Sequence, residues 1–154
     1  IDTARNLLPL AQKHSEKPID RIVIQTAPEW SKNLAKEAIE LKASNFDFIR
    51  EGMSFIKSHR SFVNSNDKGA VIQTWSAITT GSKKRRGKVQ TWTVEETALI
   101  RNGVNERAIL EPRSKFIAAT LGIESIEVYE AGTGEDAGGK AKFAQPLEPG
   151  IAFL

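Results

Sequence analysis

The chain has 154 residues, the size of one ordinary domain, and 40% of them are apolar, which is enough to build a core. It has no cysteine, which excludes disulfides, a cysteine nucleophile and thiolate metal sites. No run approaches the roughly 20 consecutive apolar residues that a membrane span needs, so no membrane partner is expected. Because Ile1 is neither an initiator Met nor the start of a signal-peptide pattern, we expect a piece of a longer protein or a processed one. The absence of cysteine is compatible with the expected cytoplasmic location.

Charge is distributed unevenly along the chain although the net charge is only +3. Residues 57–88 contain eight lysines and arginines against one acid, whereas residues 123–154 contain six acids against two lysines. A basic middle and an acidic tail favour one positive face that meets a polyanion. The alternative is a solvated loop and a solvated tail with no partner.

The N-terminal part is predicted to contain a helix and then a buried strand. A helix over residues 2–14 includes Pro9, which kinks it or marks its start. We assign residues 1–18 to a lead-in helix and linker from a preceding domain, and residues 19–154 to the domain proper. Within residues 19–25, the apolar run Ile22-Val23-Ile24 is typical of a strand buried on both faces.

Apolar residues at helical spacing predict three further helices in the first half of the chain. The first begins at Pro28 and Glu29, since proline is tolerated in a first turn and an acid there complements the helix dipole. The second covers residues 45–57, and the polar residues 58–66 are expected to form a loop. The third is capped by Asp67 and ends at Gly81.

The second half is predicted to add helices and two more strands. Thr93-Val94-Glu95-Glu96 is a capping-box pattern that opens a helix reaching Asn102. More helix follows, is kinked or restarted at Pro112, and ends at Gly122. The two strands cover residues 123–129 and 150–154. The predicted class is therefore α+β, with a small three-stranded sheet covered by several helices.

No pattern in the chain meets the requirements of a catalytic site. His14 and His59 are interpreted as lone surface histidines, too few for a metal site. Residues 54–57 have the S-x-x-K spacing of some acyl enzymes but lie in a helix that core packing already explains. The glycine-rich residues 132–138 are one residue too long for a dinucleotide fingerprint, and their acids would repel a pyrophosphate. We therefore expect no enzymatic activity, metal or cofactor in this chain.

The strongest local feature is a basic run that places five positive charges in six positions. It consists of Lys83, Lys84, Arg85, Arg86 and Lys88. Such a run can neutralise several phosphates and release their counterions. Trp92 follows closely and is equally consistent with base stacking and with a place in the core. A plain mobile loop remains the alternative for the run itself.

Three stretches together carry a resemblance to a known family. They are residues 22–31, with Ala27-Pro28-Glu29-Trp30 after a strand; residues 116–124, with Leu121-Gly122-Ile123-Glu124; and residues 138–154, with Gln145-Pro146-Leu147-Glu148-Pro149 before an apolar end. In this order they resemble the C-terminal domain of archaeal and eukaryotic-type leucyl-tRNA synthetases. The stretches span most of residues 19–154.

The resemblance implies that the parent is a class I aminoacyl-tRNA synthetase, a leucine–tRNA ligase that uses ATP and leucine. Its catalytic residues would lie upstream of Ile1, and mischarged products would be hydrolysed in a separate editing domain. In this family the C-terminal domain recognises the long variable arm of leucine tRNA. The partners implied are that tRNA and the other domains of the parent chain.

The predicted interface combines local physics with the resemblance. Phosphates of the variable arm are expected against residues 83–88, with help from Arg60, Lys140 and Lys142, while Trp92 or backbone groups read the unpaired bases at the tip of the arm. The alternative is a protein-interaction or structural domain with a nonspecific basic loop, in which the acidic glycine-rich loop and the terminal strand dock on a partner.

Overall fold

The structure is a computed structural model that describes residues 1–44, 46–47, 50–79, 82–85, 88–91, 93–133, 136 and 139–154. For residues 42–43, 77–79, 82–85 and 88–91 it describes the backbone alone. The chain divides into two compact units, one formed by Ile1–Pro28 with Asn105–Leu154 and the other by Glu29–Val104.

Both units contain helices and strands, and the chain has the predicted α+β class. The elements are α1 (Asp2–Lys13), β1 (Arg21–Thr26), α2 (Glu29–Ala43), α3 (Gly52–Ser58), α4 (Arg60–Val63), α5 (Lys68–Thr79), β2 (Ser82–Arg85), β3 (Lys88–Thr91), α6 (Val94–Arg101), α7 (Glu106–Leu110), α8 (Ser114–Leu121), β4 (Ser125–Glu130) and β5 (Gly150–Phe153). Among the described residues, 3-10 turns lie at Glu111–Arg113 and Ala141–Phe143.

The first unit is built on the predicted three-stranded sheet, in the order β4-β1-β5. β1 pairs in parallel with β4 and antiparallel with β5, so the sheet is mixed. Five of the six β1 residues are buried, which confirms the strand buried on both faces that Ile22-Val23-Ile24 predicts. The central position of β1 contributes to this burial, because a middle strand has a paired strand along each of its edges.

Helix α8 covers one face of the sheet. Ile117 and Ala118 of α8 join Ile22 and Ile24 of β1 and the buried side chains of β4 in one apolar cluster. Ile126 and Val128 of β4 are buried together, as their alternation predicts. On the other face Val23 packs with Ala152 and Tyr129. The helix ends at Gly122, whose φ of 68° is left-handed, as its predicted role as a helix stop requires.

The second unit has a helical core around one tryptophan. Trp75 of α5 is buried and stacks on Phe55 of α3, with 5.3 Å between the ring centroids. Phe46 meets the edge of Phe55 at 5.5 Å. Leu34 of α2 is fully buried in this unit. The aromatic contacts are in the range where such pairs stabilise beyond their buried area.

Two sequence predictions in this unit are wrong. The helix expected over residues 45–57 begins only at Gly52, because the Asp47 carboxylate accepts the backbone N–H of Arg50 at 3.0 Å and forms a turn instead. The loop expected over residues 58–66 contains the short helix α4, since the His59 ring caps it by accepting the N–H of Ser61 at 3.1 Å.

In the first unit, Pro112 lies in the 3-10 turn that separates α7 from α8, so the helix restarts there. Phe116, expected on the apolar face of that helix, is 68% exposed. Helix α1 includes Pro9 as predicted. It contacts β5 and belongs to the unit that holds the sheet, so the division at residue 18 does not coincide with the division into units.

Candidate nucleic-acid interface

The basic run contributes to a two-stranded antiparallel hairpin rather than to the plain mobile loop that was its alternative interpretation. β2 carries Lys83, Lys84 and Arg85, and β3 begins at Lys88. Their register places Arg85 opposite Lys88. Like charges directly opposite each other destabilise a strand pair, so this end of the hairpin is favoured by a bound anion. The hairpin of β2 and β3 is called the basic ribbon below.

The basic ribbon is joined to a defined helix on each side. β2 contacts α5, which precedes it. After β3 the Thr93 hydroxyl accepts the N–H of Glu96 at 3.1 Å, and the Glu96 carboxylate accepts the N–H of Thr93 at 3.0 Å. This reciprocal cap is the predicted capping box, and it fixes where the chain leaves the ribbon and enters α6.

Two other predicted ribbon contacts, Arg86 and Trp92, lie outside the described residues. The backbone positions of Lys83, Lys84, Arg85 and Lys88 are therefore what the structure contributes to the predicted interface. They bring four of the five predicted cations into two adjacent short strands.

Arg60 lies in the same unit as the ribbon, at the first residue of α4, and is exposed. Its position depends on His59, which was expected to be a lone surface histidine. Instead the His59 side chain is only 11% exposed, and its Nε2 contacts the carboxylate of Glu37 on α2. Because Nδ1 caps α4, both ring nitrogens are engaged, and the ring holds structure rather than supplying a general base.

Lys140 and Lys142 lie in the first unit and are brought together by one aromatic ring. Their ammonium nitrogens lie 5.4 Å and 5.1 Å from the ring centroid of Phe143, within the range of a cation–π contact. Phe143 itself is 54% exposed. The sequence prediction included the two lysines but missed Phe143, whose signal was an aromatic residue directly after Lys140-Ala141-Lys142. Lys140, Lys142 and Phe143 are called the lysine–phenylalanine turn below.

Backbone contacts hold the lysine–phenylalanine turn in place. The Asp136 carboxylate accepts the N–H of Ala141 at 2.8 Å, and the N–H of Phe143 donates to the carbonyl of Lys140 at 3.0 Å. Behind the ring Ala144 is buried. The carbonyl oxygen of Lys140 also lies so close to Gly150 that a Cβ there would be only 2.1 Å from it. The turn is thus packed directly against the start of β5.

Glu106 ties the next turn of the chain to β1 and α7. Its carboxylate accepts the backbone N–H of Leu147 and, at 3.5 Å, that of Ala27. Leu147 has a φ of 62°, a left-handed conformation that a leucine adopts only when its surroundings hold it there. The two contacts of Glu106 therefore hold the backbone around Leu147 in place.

The described part of the chain shows no cluster of three or more histidine, aspartate or glutamate side chains that would hold a metal ion. None of its helices is long and apolar enough to cross a membrane. Ser54 and Lys57 are both exposed on α3, and His14 is exposed as predicted. Neither a protein-family model nor a curated protein matches the chain.

Proposed function

We propose that the chain is the tRNA-recognition domain of a leucine–tRNA ligase and binds the long variable arm of leucine tRNA. The observation that carries the proposal is the basic ribbon, with Arg85 placed opposite Lys88 in an antiparallel strand pair. A strand pair that concentrates like charges is stabilised when phosphates neutralise them. The partner is therefore a polyanion rather than a neutral small molecule.

The groove geometry of RNA favours contacts between the ribbon and the outside of a folded RNA. The major groove of an A-form RNA helix is too deep and narrow for side chains to read, so recognition relies on phosphates, ribose hydroxyls and unpaired bases. Phosphate contacts from the ribbon would set the position of the RNA, and contacts to unpaired bases would set its identity. A variable arm, with its stem and loop, offers both kinds of contact.

The choice of leucine tRNA rests on the resemblance of residues 22–31, 116–124 and 138–154 to the synthetase family. On this proposal a catalytic domain upstream of Ile1 in the parent enzyme activates leucine with ATP, and this domain selects the tRNA. The alternative, a protein-interaction or structural domain, requires no affinity for RNA at all.

The test measures the affinity of the 154-residue chain for leucine tRNA and for the same tRNA with a shortened variable arm, across a series of salt concentrations. The intact tRNA is expected to bind more tightly, and the advantage is expected to disappear with the arm. In the triple variant Lys83→Ala, Lys84→Ala, Arg85→Ala, the slope of log affinity against log salt is expected to fall by about 2 to 3, because each lost phosphate contact lowers it by about 0.9.

A matched control removes three exposed lysines outside the proposed interface, Lys13, Lys36 and Lys115. It makes the same change in net charge, so a specific role for the ribbon requires the ribbon variant to lose more. Equal binding of the two tRNAs would contradict recognition of the arm. Binding to neither tRNA would contradict the whole proposal and favour the protein-interaction alternative.

A further inference from the structure

We infer that Phe143 is a base-stacking residue, and that Lys140 and Lys142 contact the phosphates on either side of the base it holds. The inference rests on the proposed function, since it assumes that the partner is a nucleic acid. It adds a second contact site, in the first unit, and names its ligand as an unpaired nucleotide.

The exposure of Phe143 matters because of the two lysines that lie next to it. Single exposed apolar side chains are common on protein surfaces and carry no functional conclusion. Phe143 differs because the residue is 54% exposed and two ammonium groups lie over its ring, 5.4 Å and 5.1 Å from the centroid. An exposed aromatic residue in contact with positive charges is the combination that binds single-stranded nucleic acid, with bases on the ring and phosphates on the charges.

The turn is already arranged for a ligand. Its backbone is held by the Asp136 carboxylate on one side and by the close approach to Gly150 on the other. The backbone of the turn is therefore held without a partner, and binding costs little further ordering of that backbone. Of the two lysines, Lys142 is exposed and Lys140 is half-buried, so both are anchored near the ring yet reach solvent with their charged ends.

The charges and the ring together favour a nucleotide over other anions. A phosphate or an acidic peptide would satisfy the two ammonium groups but would make no use of the aromatic ring. An unpaired base stacks on the ring as the two ammonium groups turn from it to the flanking phosphates, so that both the ring and the lysines are engaged. A base within a duplex is already stacked on its neighbours and offers no free face.

The experiment uses the full 154-residue chain and two RNAs with equal numbers of phosphates. One is a hairpin with a loop of unpaired adenines, in which one adenine is replaced by 2-aminopurine. The other is a blunt duplex. The variants are Phe143→Leu, which keeps an apolar side chain, and the double variant Lys140→Gln, Lys142→Gln. Phe116→Leu is the matched control, because Phe116 is the more exposed phenylalanine, at 68%, and lies on α8 away from this turn in sequence.

Phe143→Leu is expected to weaken binding to the loop RNA by about 5- to 150-fold, the range for loss of one base–aromatic stack. It is expected to leave binding to the duplex and the salt slope unchanged, since no charge is removed. Binding of the wild-type chain should change the 2-aminopurine fluorescence, and Phe143→Leu should abolish that change. The lysine double variant is expected to lower the salt slope on the loop RNA by about 1.4, from about 0.7 per single-strand phosphate contact.

Equal affinity of Phe143→Leu and wild type for the loop RNA would overturn the inference, as would an equal loss in Phe116→Leu. The proposed function would survive that result if the ribbon variant still lost its salt-dependent binding to leucine tRNA. If the wild-type chain bound none of these RNAs, the proposed function would fail first and the inference with it. The two failures are therefore distinguishable.

Discussion

Replacing Gly150 with alanine probes the closest backbone approach in the first unit. Gly150 is buried and begins β5, where it pairs with Gln25 of β1. A Cβ at this position would lie 2.1 Å from the carbonyl oxygen of Lys140 and 3.0 Å from its carbonyl carbon. Close carbon–oxygen contacts in proteins are about 3.3 Å or longer, so the two segments must separate by roughly 1 Å.

The cost follows from which atoms have to move. The obstructing oxygen belongs to the backbone of the lysine–phenylalanine turn, which is held by hydrogen bonds and cannot rotate away as a side-chain end would. Overpacking of this kind costs about 1 to 3 kcal/mol. A weakened hydrogen bond between β1 and β5 adds about 1 kcal/mol. We expect Gly150→Ala to lower the free energy of unfolding by about 2 to 4 kcal/mol.

Denaturant unfolding followed by circular dichroism measures this change as a shift in the midpoint. Gly69→Ala is the control, because Gly69 is exposed in the first turn of α5 and its Cβ would meet only Asp67, at an ordinary 3.4 Å. That variant should be as stable as wild type or slightly more stable. A Gly150→Ala midpoint equal to that of wild type would refute the close packing of the turn against β5.

Two further stability predictions concern the second unit. Ser31 is fully buried on α2, and its Oγ has no hydrogen-bond partner among the residues that the structure describes. Ser31→Ala should therefore raise the free energy of unfolding by about 1 kcal/mol. A lower free energy of unfolding in this variant would show that the hydroxyl makes a hydrogen bond. His59→Ala removes the cap of α4 and the contact with Glu37 and should cost about 2 kcal/mol in the same assay, while His59→Asn, which keeps a capping group, should cost less. Equal midpoints for the two His59 variants would contradict the capping role.

The sheet was predictable because its signals are local and strong. Ile22-Val23-Ile24 marks a strand covered on both faces, and its burial follows from composition alone. Gly122 and the capping box at Thr93 identify helix ends by chemistry that acts within a few residues. In each case the residues that indicate the structure are the same neighbouring residues that make the contact.

The errors arise where a tertiary contact competes with a local pattern. Apolar residues at helical spacing predicted one helix over residues 45–57, yet Asp47 forms a turn with Arg50 and lets Phe46 pack on Phe55. The helix α4 depends on a histidine cap held from α2 by Glu37, which lies 22 residues away in sequence. A mobile loop stayed open as the alternative for the basic run because lysine is depleted in strands and a charged run resembles a solvated loop.

Phe143 illustrates why the candidate site was only partly predictable. Lys140 and Lys142 were candidates on charge alone, because a positively charged side chain attracts anions whatever the local backbone structure. An aromatic residue is functional only when it is exposed, and exposure depends on which neighbour the backbone turns inward. Here the 3-10 turn at Ala141–Phe143 places Ala144, not Phe143, in the interior. The close approach of Lys140 to Gly150 lies at the same turn, so the contact that makes Gly150→Ala costly also fixes the backbone next to the exposed ring.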